Sequence, residues 1–227
     1  MHNKSSWLPV VLVSLLMAIY PGAQTAQAKT PAQPSSNQNN PAEAGYRITP
    51  TPAWVKDPGQ SKTDAHRKLT PGAKARRDLL VDMQIQVTPK TQTTYMRVHQ
   101  MAMDSSTLRE VSEPTIGFNP AYQRLFIHNV SVVRDGKRSD RLKDLRVEML
   151  RREQQLENKV LDGARQALIM LKDVRVGDVV ELAYSVEGVN PIFEGKFSEL
   201  MHVGNEAAMD RLHLRIEAPL DRRLQIK

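Results

Sequence analysis

Five histidines follow residue 28: His66, His99, His128, His202 and His213. Imidazole is the side chain best suited to acid–base work or metal ligation near neutral pH, so their spacing is the first question. No two are spaced to share one face of a helix as a metal motif requires. Each reads as a surface or strand residue rather than a ligand. His128 and Glu153 have the chemistry of an acid–base pair, but nothing in the sequence brings them together. Ser105-Ser106 lacks the flanking glycines of a nucleophile elbow. The carboxylate pairs Glu110 with Glu113, and Asp173 with Asp178, read as ordinary turn and surface positions. Gly177 and Gly188 stand alone and make no phosphate-binding loop. The chain contains no cysteine, which excludes a thiol nucleophile, a disulfide scaffold, a zinc ribbon and an iron–sulfur cluster. No catalytic residue, metal ligand or cofactor is expected.

What remains is charge. The net charge is +7, and its placement decides what it means. Residues 1–28 contribute +1, residues 29–78 carry nine Lys/Arg against four Asp/Glu, and residues 79–227 carry 22 against 21. The base is therefore concentrated before residue 79, in Arg67, Lys68, Lys74, Arg76 and Arg77. These five residues are candidates for contact with an anionic envelope component, although a solvated linker explains them more simply. Nucleic acid is not expected as a partner, because aromatic stacking platforms are scarce. Arg151, Arg152 and Glu153 form a second candidate interaction site. Glu153 there either makes a structural ion pair, the reading we favour, or faces a partner.

The elements that would hold these residues fall into three parts. Residues 1–28 have the layout of a secretory signal. Lys4 is followed by the uncharged apolar run Leu8–Tyr20, a break at Pro21-Gly22, and Ala26-Gln27-Ala28 as a cleavage site. The run is shorter than the roughly 20 residues a spanning helix needs, so cleavage before Lys29 is expected and no membrane span thereafter. Residues 29–78, rich in Pro, Ser, Asn and Gln at their start, are expected to be a disordered, basic linker. From Leu79 the pattern alternates with period two. Leu79, Val81, Met83, Ile85 and Val87 form the apolar side of a strand. Further strands are expected over Thr93–Met103, Leu125–Val133, Ala167–Leu171 and Val179–Val186, then at Leu212, Leu214 and Ile216, with another run starting at Leu224. Asp135-Gly136 supplies a hairpin turn and Val176-Gly177-Asp178 a tight turn. This pattern predicts a mainly β fold, an antiparallel β-sandwich over 79–227. One short helical or irregular segment is expected near 145–165, entered by a strand.

Several segments in this order resemble a known family. They are Asn119-Pro120-Ala121-Tyr122-Gln123-Arg124-Leu125, Val132-Val133-Arg134-Asp135-Gly136-Lys137, Arg151-Arg152-Glu153 with Leu156-Glu157, Asp162-Gly163, Asp173 to Glu181, and Gly188 with Asn190-Pro191. Over roughly residues 79–223 the chain resembles the bacterial domain of unknown function 3857. The resemblance implies an N-terminal accessory domain of exported transglutaminase-like proteins, a β-rich module before a papain-like core with a Cys-His-Asp triad. It also implies a periplasmic or secreted location, as in a Gram-negative bacterium. The family's catalytic residues have no positions here to occupy, and the transglutaminase-like core is absent. Leu224-Gln225-Ile226-Lys227 reads as a strand cut short, so truncation at the C-terminus is expected. The function expected on these grounds is that of a non-enzymatic exported module that supports or recruits substrate for a transglutaminase-like domain or protein. The alternative is a stand-alone envelope polymer- or protein-binding module using the basic 62–77 segment.

Overall fold

A computed structural model describes residues 45–59, 74–151, 163–194, 196–197 and 207–221. Eleven strands are present among them: β1 Tyr46–Ile48, β2 Lys74–Val87, β3 Gln92–Ala102, β4 Thr115–Phe118, β5 Arg124–Arg134, β6 Lys137–Asp140, β7 Arg146–Arg151, β8 Arg165–Met170, β9 Val179–Glu187, β10 Ala207–Met209 and β11 Leu212–Glu217. One short helix, α1, spans Leu108–Ser112, and a 3-10 turn spans Pro191–Phe193.

The strands form two sheets. The larger runs β1-β5-β9-β3-β2-β10, with β11 also pairing β2 and β6 pairing β5; the smaller runs β4-β8-β7. The pairings are antiparallel except at β1/β5, β10/β2 and β11/β2, which are parallel. The hairpin at Asp135-Gly136 joins β5 to β6, and both residues take the positive φ that this tight turn demands.

The alternation read from the sequence builds the core. Leu182 of β9 and Leu125, Ile127 and Val130 of β5 meet Ile116 and Phe118 of β4 and Ala167 and Ile169 of β8 in one buried cluster. Each such aliphatic side chain contributes roughly 1.5–3 kcal/mol by leaving water. The two sheets thus pack face to face as a sandwich with one shared apolar layer.

Three expectations need correction or limits. The 29–78 linker does not hold for residues 45–59 and 74–78. Tyr46–Ile48 forms β1, and β2 begins five residues earlier than the alternation suggested. The charged residues 74–78 hide the strand from a hydrophobic-pattern reading because their charges are paired within the fold, as shown below. The strand expected to enter the 145–165 region is β7; the helical or irregular part falls on residues 152–162, outside those described. The run beginning at Leu224 also lies outside them.

Candidate functional site

On β2 the polar side of the alternation is as deeply buried as the apolar side. Asp82 and Gln84 are fully buried, as is Leu80 between the charged groups. Cross-strand partners share a face, so the register shows what surrounds them. Asp82 stands between His213 of β11 and Arg97 of β3; Gln84 between Arg215 and Tyr95; Leu80 beside His99. β3 in turn sets His99 beside Glu181 and Tyr95 beside Ser185 of β9. The back of the large sheet is therefore a polar array, opposite the apolar layer.

Asp82 is its hub. It accepts hydrogen bonds from Gln84 Nε2 (3.0 Å) and His213 Nδ1 (2.7 Å), and Arg97 Nε lies 3.4 Å away. A buried carboxylate needs this much compensation, because leaving water costs an isolated charge several kcal/mol. The imidazole of His213 is oriented by a carboxylate, as a general base would be. Its partner, however, is a carboxylate in an ion-pair network rather than a nucleophile.

The array is covered by the chain's own residues 49–59. Thr49 O accepts from His128 Nδ1 at 3.0 Å, which fixes the proton on that nitrogen and leaves Nε2 to accept from Ser185 Oγ at 2.7 Å. His128 stacks on Tyr95, and Trp54 meets the edge of the same ring. Burial holds the His128 imidazole below its usual pKa. Further along, Lys56 N donates to Gln84 Oε1 (2.9 Å) while Gln84 Nε2 donates to Lys56 O (2.6 Å). Arg215 Nη1 donates to Trp54 O, Arg211 to Pro58 O and Gly59 O, and Arg97 Nη2 to Asp57. Sheet side chains thus bind the main chain of this strap, independently of most strap side chains.

A second cluster lies beyond the strap. Glu181 accepts from Ser131 Oγ (2.7 Å) and pairs with Arg138 (2.7 Å), with His99 Nδ1 3.9 Å away. Ser131 also accepts from Arg138 Nε. The serine is a donor to a carboxylate that an arginine already neutralises, so nothing there withdraws its proton toward an imidazole. Desolvation lowers the pKa of His99, outweighing the upward pull of the Glu181 carboxylate. No group of three His, Asp or Glu side chains suited to a metal ion occurs among the described residues.

The residues singled out from the sequence are placed as follows. Arg77 is 1% exposed and bound to Asp210. Arg76 pairs with Asp78 and Glu110. Lys74 opens β2, exposed. Strand alternation sends Arg76 and Asp78 to one side and Arg77 to the other, ahead of the bulge at Leu79 that shifts the register. Arg76 and Arg77 are therefore structural ion pairs rather than a free basic surface. Arg151 ends β7, exposed. Arg67, Lys68, Arg152 and Glu153 lie outside the described residues. The described ones among them, Lys74, Arg76, Arg77 and Arg151, are not brought together with the polar array. Single polar residues in a strand read as solvent-facing, which hides Asp82 and Gln84 and leaves His213 as an ordinary surface or strand residue; three polar residues at alternate positions, Asp82, Gln84 and Gln86, are the available signal.

The motif residues have structural roles. Gly188 has φ +138°, and a Cβ there would overlap the carbonyl oxygen of Tyr122, so Gly188 locks the Asn119–Leu125 segment against the end of β9. Arg134 Nη2 and Nε grip Asp178 at 2.7 and 2.9 Å, and Arg134 also bonds Asp173. Asp178 accepts Arg175 N as well, and the Arg134 hydrogen bonds hold its carboxyl below the usual range.

No curated protein matches the sequence. Among solved structures, a Parabacteroides distasonis protein described as a candidate protease is similar at 14% identity and a TM-score of 0.45, over 51% of this chain and 23% of that one. The chain spans less than a quarter of that protein's length. The model of a domain of unknown function with a solved structure, DUF3857, matches residues 88–227, and the chain belongs to this family.

Proposed function

We propose that this chain is a non-catalytic, exported β-sandwich module that supports or recruits substrate for a transglutaminase-like, papain-like cysteine domain in cis or in trans. The observation that carries this reading is the state of the polar array. Its buried carboxylate is held by hydrogen bonds from His213 and Gln84 with the Arg97 guanidinium 3.4 Å away, and the chain's own strap lies over it. The absence of any cysteine supports it as well. The association with transglutaminase-like chemistry rests on family resemblance, an associational argument.

The full mature chain should show no amide hydrolysis and no acyl transfer from glutaminyl or simple amide substrates. It should raise kcat/KM of a transglutaminase-like partner when the two are mixed or fused. Turnover by this cysteine-free chain alone, abolished by His213→Gln, would overturn the reading. Export is tested by sequencing the mature N-terminus: Lys29 is expected, and an intact residue 1 in protein recovered from cells would contradict it.

The second reading, an envelope-binding module using residues 62–77, has lost part of its charge, because Arg76 and Arg77 are neutralised within the fold. Salt-sensitive binding to an anionic polymer that disappears on replacing Arg67 and Lys68 would restore it.

A further inference from the structure

At the Gly188 end the two sheets part. A cleft of about 220 Å³ opens there, floored by Thr94 and Met96 of β3 and Tyr184 and Val186 of β9, and walled by Gly117 of β4 and Gln123. It shares Gln92, Gln123 and Gly188 with an adjoining cleft of about 160 Å³ that reaches Phe193 and Lys196. A Cβ built on Gly117 would meet nothing within 4 Å, so this wall faces open space.

Two groups of the inner cleft, the Tyr184 hydroxyl and the Gln123 amide, can donate to a ligand, while Gln92 Nε2 donates to Thr94 Oγ1 at 3.4 Å. The Tyr184 hydroxyl makes no hydrogen bond among the described residues, and burial pushes its pKa up to about 12, so it stays protonated. Gln123 Oε1 is taken by Asn119 N–H at 2.7 Å, which leaves its NH2 group for another acceptor. No charged side chain lines this inner part. A carboxylate ligand would find no cation there, and an ammonium ligand no anion. The matching acceptor is a neutral carbonyl beside small apolar groups that suit Met96, Val186 and the Tyr184 ring. Among the described residues β4 pairs with β8 alone, so the strand that carries Gly117 is an edge strand there, of the kind that extended polypeptide adds to.

We infer that this cleft is a binding site for a short, uncharged stretch of extended polypeptide, supplied in trans, whose carbonyl oxygens accept from Tyr184 and Gln123. The claim concerns binding by this chain alone and does not depend on a catalytic partner.

The test uses the full mature chain with ¹³C-methyl methionine, because the Met96 methyl reports from the cleft floor while that of Met209, on β10, serves as a control. N-acetyl-Ala-Ala-Ala-amide is the probe. The Met96 resonance should shift saturably at millimolar probe and the Met209 resonance should not. Thr94→Tyr fills the cleft floor with a bulky, strand-favouring side chain and should weaken binding at least tenfold while Met96 keeps its dispersed signal. Tyr184→Phe removes one hydrogen bond and should weaken binding roughly fivefold. No Met96 shift up to about 10 mM probe, the weak end of measurable affinity, overturns the inference. Undiminished binding by a folded Thr94→Tyr protein does so too. An equal or larger Met96 shift with triacetylchitotriose overturns the peptide assignment.

Discussion

The two faces of the large sheet are built from alternate residues of the same strands, yet different forces hold them. The front face, with Ile127, Val130 and Leu182, is an apolar layer sealed by the small sheet. Its stability is non-directional and scales with area removed from water. The back face, with Asp82, Gln84, Arg97 and His213, is sealed by residues 49–59, and its stability depends on specific donors meeting specific acceptors. An apolar face tolerates exchange of one aliphatic for another of similar volume. A polar face tolerates little, because each lost partner leaves another group buried and unpaired. The difference explains why motif residues such as Arg134, Asp178 and Gly188 prove to be structural: they fix geometry where packing alone would not.

On the front face Ile127→Ala should cost about 3 kcal/mol, and Ile127→Val about 1. Failure of that gradation would contradict simple apolar packing there. The back face breaks at the hub. Asp82→Ala should cost about 2 kcal/mol in urea unfolding, because it removes the buried acceptor shared by Gln84 and His213 and the countercharge of Arg97. Replacing Asp82, Arg97 and His213 together with Leu, Met and Leu should recover most of that loss. A triple variant no more stable than the single one would show that the face depends on shape rather than on charge pairing.

Acid separates the faces without mutation. Burial lowers the pKa of His128 and of His99 in the folded chain. The unfolded chain, with imidazoles near the usual value of about 6.5, binds those protons more readily. Stability should therefore fall as pH drops from neutrality through that value, since the slope follows the excess of protons bound by the unfolded state. The urea midpoint is expected to be lower at about pH 5.5 than at 7.5, and His128→Gln should flatten the difference. The smallest effect belongs to the rim. Asp57 is 78% exposed in its pair with Arg97, so Asp57→Ala should cost at most about 0.5–1 kcal/mol, and less in high salt.

How far the sequence disclosed this arrangement differs between the faces for the same reason. Val180, Leu182, Tyr184 and Val186 alternate plainly, and their strand and its buried side follow from period two alone. Asp135-Gly136 announces its hairpin through turn chemistry. The back face is hidden because alternation assigns polar residues to solvent. That assignment fails when a distant segment covers them, here one more than twenty residues earlier in the chain. Residues 49–59 hold three prolines and few apolar side chains, so nothing local marks them as ordered; their order comes from Gln84, Arg211 and Arg215 bonding their main chain. The start of β2 was obscured likewise, since Arg76 and Arg77 count as surface charge until Asp78, Glu110 and Asp210 are placed beside them.

The central claim is that the polar array serves to hold the chain's own strap. Hydrogen exchange at the Lys56 amide, which donates to Gln84, tests it most directly. In the wild-type chain this amide should be strongly protected, and Gln84→Ala should return it toward the rate of a free peptide while the front-face amides of Ile127 and Leu182 stay protected. Free-peptide exchange at Lys56 in the wild type would mean that the array stands open, and would contradict the account.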